Sequence, residues 1–201
     1  SSSIVYTKMD TSGTVLWEKK IYTEGFDRAT TAIQLPDSNI IIAGGKFDSN
    51  YVAKLDFNGN IIWETSFGVS SGIFNLIVLE DGSFVACGEG LQSGFSKVQG
   101  TISKICPNGK LQWMRYYGAP TFSSHLYDVV QTKDGGFIAC GSGKGANGTQ
   151  DIWVIRLDSI GCNSANCATP PDINLCKDDT LGIASNLQIE HSLKIFPNPA
   201  T

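Results

Sequence analysis

The sequence predicts an all-β fold built from a repeated four-stranded unit, and three observations carry that prediction. Glycine supplies 22 of the 201 residues, turn-forming residues recur throughout, and long helix-forming runs are few. An Asp-x-x-Gly-x-x-x-Trp element returns about every 46 to 52 residues. Between its copies lie apolar runs joined by short turns, two of them Asp-Gly, a strong hairpin signal because glycine accepts the positive φ of a tight turn.

The first copy of the element carries Asp10, Gly13 and Trp17, and the second Asp56, Gly59 and Trp63. The third keeps Gly109 and Trp113 with Cys106 in the Asp position, and the fourth keeps Asp158 and Gly161 without the Trp. The intervening turns are Pro36-Asp37-Ser38-Asn39, Glu80-Asp81-Gly82-Ser83 and Lys133-Asp134-Gly135-Gly136. Residues 4–22 then read as the third and fourth strands of one unit. The next unit uses 29–35, 39–45, 51–56 and 60–67, and the one after it 73–79, 83–88, 101–106 and 110–117. The last uses 126–132, 136–142 and 152–158 and lacks a fourth strand.

Four short strands per period of this length point to a β-propeller with one blade per repeat, phased like WD repeats so that the second turn family joins the first two strands. A β-sandwich, the main rival, has no reason to repeat its turn chemistry at this interval. The runs after those turns are apolar on both faces, as suits a strand covered by a neighbouring blade on each side. About 3 to 3.5 blades are accounted for. An open array leaves apolar faces and strand edges in water, so the expectation is part of a larger propeller or one completed by another chain.

Within the repeat, Asp10, Asp56 and Asp158 are expected to accept backbone N–H bonds in their turns, while the three tryptophans pack between blades. The spacing around the glycine separates this element from the Asp-box of sialidases and from the quinoprotein repeat. Asp56-Phe57-Asn58-Gly59-Asn60 resembles the start of a calcium loop but lacks the bidentate acid such a loop needs. Lys8, Lys54, Lys104 and Arg156 share one repeat position. A cationic ring there would attract anions, but the expected reading is four long side chains lying along their blades with their heads in water. If the axis holds a ligand, its inner-strand contacts are Thr31, Asn75 and Asp128, each six residues before a hairpin Asp.

Nothing marks an enzyme. The two histidines are His125 and His191, so no triad or multi-histidine metal site is expected, and neither a cofactor nor a metal is implied. Cys87 and Cys140 occupy equivalent central-strand positions and read as small buried hydrophobes. Cys162 and Cys167 are candidates for a small disulfide loop in an oxidising exterior, whereas the pairing of the other cysteines stays open. Zinc, the competing use of the Cys cluster, lacks histidine partners.

The net charge of −4 and a charged fraction of 17%, against about 25% in average proteins, argue against a nucleic-acid groove. No stretch approaches the roughly 20 apolar residues of a membrane-spanning helix. The N-terminal serines do not read as a signal peptide, so the expectation is that one has been removed or that sequence precedes them. The repeats occupy 1–161, a Cys-containing linker 162–190, and a distinct segment 191–201. That segment carries Ser192-Leu193-Lys194-Ile195, then Phe196-Pro197-Asn198-Pro199, which taken alone would be a strand ended by a proline turn.

The segment resembles the opening of the C-terminal sorting domain (type A-like) used by the type IX secretion system of Bacteroidetes, and the repeats look like those common in such exported proteins. The resemblance implies an extracellular or cell-surface location and the type IX machinery as a partner. Asp158-Ser159-Ile160 and Asp179-Thr180-Leu181 resemble O-glycan attachment sites of such bacteria, and Asn147-Gly148-Thr149 fits an N-glycosylation pattern. The resulting expectation is a secreted propeller working as a binding or adhesion module for a glycan or surface protein. The alternatives are a propeller-type polysaccharide hydrolase or lyase, and a structural module completed by a partner chain.

Overall fold

A computed structural model describes residues 3–22, 27–144, 148–164, Cys167 and Cys176. Among them, thirteen strands form four antiparallel sheets. The first pairs β1 (Ser3–Met9) with β2 (Val15–Tyr22). The second runs β3 (Arg28–Gln34), β4 (Ile40–Lys46), β5 (Ser49–Leu55) and β6 (Ile61–Phe67). The third runs β7 (Gly72–Val78), β8 (Phe84–Gly90), β9 (Gln99–Ile105) and β10 (Leu111–Tyr117). The fourth holds β11 (His125–Gln131), β12 (Phe137–Lys144) and β13 (Gln150–Leu157). Each sheet is a meander in chain order, and every strand lies within two residues of its expected bounds.

One turn design closes both hairpin families. At the first, Leu79 N–H donates to Ser83 O and Gly82 N–H to Leu79 O; at the second, Asp56 N–H donates to Asn60 O and Gly59 N–H to Asp56 O. The fourth residue of each turn is left-handed: Gly82 has φ 76°, Gly59 has φ 75°, and Ser38 takes the same place at φ 67°. The Asp side chains work as expected. Asp56 Oδ1 accepts from Asn58 N and Asn60 N at 2.8 Å each, and Asp158 Oδ1 from Ile160 N and Cys162 N.

The sheets stack face to face, so the core comes in three layers. Ile4 and Ile21 meet Ile42, Tyr51, Ala53 and Leu55 between the first and second sheets. Ile41, Ala43 and Val52 meet Ile73, Leu76, Phe84 and Ala86 between the second and third. Val85, Cys87 and Ile102 meet Leu126, Val129, Phe137 and Ala139 between the third and fourth. Each layer is locked by a tryptophan laid against the turn glycine of the next sheet. A Cβ added at Gly59 would sit 2.7 Å from Trp17, one at Gly109 2.7 Å from Trp63, and one at Gly161 2.8 Å from Trp113. Trp63 Nε1–H also donates to Pro107 O, and Tyr6 and Tyr117 donate to the carbonyls of Gly59 and Gly161.

Two expectations are corrected and one open question is answered. Cys140 is exposed rather than buried like Cys87, because among the described residues the fourth sheet has a packed neighbour on one face only. Of the repeated cations, Arg156 stays in water with its side chain 70% exposed, whereas Lys54 and Lys104 are mostly covered. Lys54, Lys104 and Arg156 reach Asp37, Asp81 and Asp134 at 3.2, 3.6 and 2.6 Å, while the Lys8 ammonium lies over the Phe57 ring. Cys106 is more than a replacement for Asp: it forms a disulfide with Cys176 across 70 residues. The expected Cys162–Cys167 disulfide is present. His191, Asp179, Asn147 and the Phe196-Pro197-Asn198-Pro199 segment lie outside the described residues, as does most of 162–190.

Candidate ligand-binding face

The first strands of the second, third and fourth sheets lie side by side, and a shared irregularity aims their side chains. In each, the pairing with the second strand shifts by one residue: between Ala29 and Thr31, between Ile73 and Asn75, and between Leu126 and Asp128. The extra residues are Thr30, Phe74 and Tyr127. The bulge rests on glycine opposite, because a Cβ at Gly44, Gly88 or Gly141 would lie within 2.0 Å of the backbone oxygen of Arg28, Gly72 or His125.

Directly after the bulges stand the expected inner-strand residues, and the structure brings all three together. Thr31 Oγ1–H donates to Asn75 Oδ1 at 3.4 Å, and Asn75 Nδ2–H to Asp128 Oδ1 at 2.5 Å. Asn75 Oδ1 and Asp128 Oδ1 also accept from Leu76 N and Val129 N, at 2.8 Å each. Much of their polar capacity thus goes into a ladder that ties three sheets together.

At the N-terminal end of these strands lies a charged cluster that the sequence reading missed. Glu89, at the end of β8, receives His125 Nδ1 at 2.5 Å on one oxygen and Arg28 Nη2 at 3.5 Å on the other. Its two partners come from the neighbouring sheets. The Arg28 guanidinium also sits 5.3 Å from the Phe74 ring, and Phe74 contacts Tyr127, whose ring is parallel to His125. A repeated glycine inside an apolar strand is the signal that could have announced the bulges and their aromatic residues. Nothing local announces the cluster, since its members are far apart in sequence.

Beside Arg28 and Glu89 opens a polar cleft of about 400 Å³, lined also by Asp27, Gly45, Asp48, Ser70 and Ser71. Asp27 Oδ1 accepts from Phe47 N, while its Oδ2 is buried without a hydrogen-bond partner among the described residues. Ser71 N–H donates to Asp48 O and Leu91 N–H to Val69 O, joining the rim loops. Phe47, Asp48 and Ser70 all have positive φ, and the first two follow one another directly in the chain. Carboxylates, one guanidinium and two hydroxyls together offer hydrogen-bond acceptors and donors.

No protein family matches this chain, and no curated protein matches it. Among solved structures it is similar to a protein of unknown function from Bacteroides caccae, with 17% identity and a TM-score of 0.44 over 76% of this chain. The chain spans about half of that protein's length, 53%. Among the described residues no group of three or more His, Cys, Asp or Glu side chains is placed to hold a metal ion, and no helix is long and apolar enough to cross a membrane.

Proposed function

We propose that this chain is part of a secreted or cell-surface β-propeller that acts as a binding module, and that its ligand is a glycan taken up at the Arg28–Glu89 cleft. The cleft carries the reading. Saccharide recognition needs acceptors for hydroxyl protons, a donor for ring and hydroxyl oxygens, and an apolar surface for the C–H face of the sugar. Asp27, Asp48 and Glu89 are such acceptors and Arg28 such a donor, and the exposed Phe47, next to Asp48 in the chain, is the apolar side chain assigned to the sugar face.

The propeller part is supported by four-stranded meanders stacked in series with their first strands adjacent, as blades stand around an axis. Two disulfides support an oxidising exterior. The type IX route rests on the Phe196-Pro197-Asn198-Pro199 resemblance. A glycan array probed with the chain, alongside Arg28→Ala and Glu89→Ala and a turnover assay on each glycan bound, tests the reading. Binding lost in both variants, without turnover, is expected. Turnover would favour the hydrolase or lyase, and binding unaffected by either variant, or no binding at all, overturns the cleft.

A further inference from the structure

We propose that the Cys106–Cys176 disulfide is a redox-operated latch: oxidised, it fixes at a turn of the third sheet the point from which residues 177 onward depart, and reduced, it releases that point while the sheets stay folded. The inference goes beyond the binding cleft and is independent of any glycan.

The turn itself shows what the cysteine serves. In the other three copies of the repeat the first turn residue is Asp, whose Oδ1 accepts two backbone N–H groups: those of Ser12 and Thr14 at Asp10, of Asn58 and Asn60 at Asp56, and of Ile160 and Cys162 at Asp158. Cys106 has no carboxylate to offer either bond. The turn closes without one, because Cys106 N–H still donates to Lys110 O, Gly109 N–H donates to Cys106 O, and Asn108 Oδ1 accepts from Lys110 N at 3.1 Å. Where the other copies keep a group that serves the turn, this copy has a thiol that serves a residue 70 positions away.

The third and fourth sheets have their own grip on one another at this end. Trp113 lies against Gly161, Arg115 Nε–H donates to Ile160 O at 2.8 Å, and the Tyr117 hydroxyl donates to Gly161 O at 2.6 Å. The Cys162–Cys167 disulfide then closes the chain on itself directly after the gripped turn. The Cys106–Cys176 bond therefore acts on what lies beyond Cys167. Closed, it holds the Cys176 Cα 5.2 Å from that of Cys106. Open, it leaves nine residues between that point and Cys167, a reach of about 30 Å at roughly 3.3 Å per residue.

Cys106 is fully buried and Cys176 half-buried, so a dithiol reductant enters at the Cys176 sulfur. Its thiolate attacks that sulfur, the S–S bond breaks and Cys106 leaves as the thiolate. The second thiol of the reductant then attacks the mixed disulfide and expels Cys176. The products are two cysteine thiols, which take up the two protons, and one oxidised dithiol. A reducing compartment opens the latch, and an oxidising exterior keeps it shut.

Trypsin cleavage after Lys177, read by mass spectrometry on the full chain, tests this. Every chain carries Cys140→Ser, which removes the exposed free thiol. A protease binds its substrate extended, and Lys177 follows a residue tied to a buried turn. With cleavage after Lys194 as the internal reference, the oxidised parent is expected to be cut after Lys177 at least about tenfold more slowly than a chain carrying Cys106→Asp and Cys176→Ser, which opens the latch and supplies the carboxylate of the other copies. Reduction of the parent with dithiothreitol, trapped with iodoacetamide before trypsin is added, should bring it to the rate of that variant, and reoxidation before trapping should restore the slow rate. Near-UV circular dichroism should match the oxidised parent throughout. Equal cleavage of the oxidised and open chains overturns the proposal. Loss of the near-UV signal, in the open variant or on reduction, overturns it too, because the bond would then be a staple of the whole fold.

Discussion

Replacing Gly109 by alanine is the sharpest probe of how the sheets are locked together, because two separable costs fall on one methyl group. The residue has φ 88°, where an L side chain costs about 1–2 kcal/mol. The new Cβ would also lie 2.7 and 2.8 Å from Trp63 Cε3 and Cδ2, well inside ordinary van der Waals contact, and overpacking of that order costs about 1–3 kcal/mol. Gly135→Ala and Gly13→Ala isolate the first cost, since their φ values are 81° and 85° and nothing lies within 4 Å of either added Cβ. Urea unfolding followed by far-UV circular dichroism should show Gly109→Ala losing about 1–3 kcal/mol more than either control. In a Trp63→Ala background that excess should vanish, giving a favourable coupling of the same size. If Gly109→Ala costs no more than Gly135→Ala, or the double mutant is simply additive, the indole does not clamp the turn and the locking argument fails.

The remaining predictions concern chemistry at single sites. Removing the Cys106–Cys176 disulfide by Cys176→Ser should cost about 4 kcal/mol from chain entropy alone, because it closes a separation of 70 residues, whereas Cys162–Cys167 closes only 5 and should be worth about 2, compared by thermal melts. A thiol reagent should label Cys140 promptly in the native protein and leave Cys87 untouched until unfolding, since burial pushes the Cys87 thiol up to about 12; rapid labelling of both would contradict the burial difference. Hydrogen bonds from Asn60, from the Ser12 hydroxyl and from the Thr132 hydroxyl hold Asp56, Asp10 and Asp134 below the ordinary 3.8. Their contribution is therefore complete above pH 3.8 and fades as the pH falls toward the lowered native values, so urea midpoints should decline below about pH 4 and less steeply in Asp56→Asn. Asn75→Asp would set a carboxylate beside Asp128, raising a native pKa, so this variant should lose stability relative to the parent as the pH rises from 4 to 7; an unchanged pH profile would mean that the ladder contact does not persist in solution.

Much of the architecture was legible because it is written locally and then repeated. The Asp-x-x-Gly spacing specifies one turn, and the turn fixes the hairpin register, so every strand could be placed before any contact between sheets was known. Trp17, Trp63 and Trp113 could be assigned to the layers between sheets from their place in the repeat, and Cys162–Cys167 from short separation. The alignment of Thr31, Asn75 and Asp128 followed from equivalence too, but not their mutual hydrogen bonds, which depend on the distance between adjacent sheets.

Sequence by itself therefore determined the strands, their turns, their order within each sheet and the glycines that let an indole or a backbone oxygen come close, because all of these are set within one repeat of about 50 residues. Tertiary structure alone decided which repeat positions meet. Glu89 joins Arg28 and His125 because the three sheets bring their ends together, Cys106 finds Cys176 because the chain returns to the third sheet after leaving the fourth, and Cys140 lies in water where its twin Cys87 is buried. Periodicity specifies what each position is, whereas its neighbours across the stack specify what it touches, and touching is what sets burial, charge and chemistry.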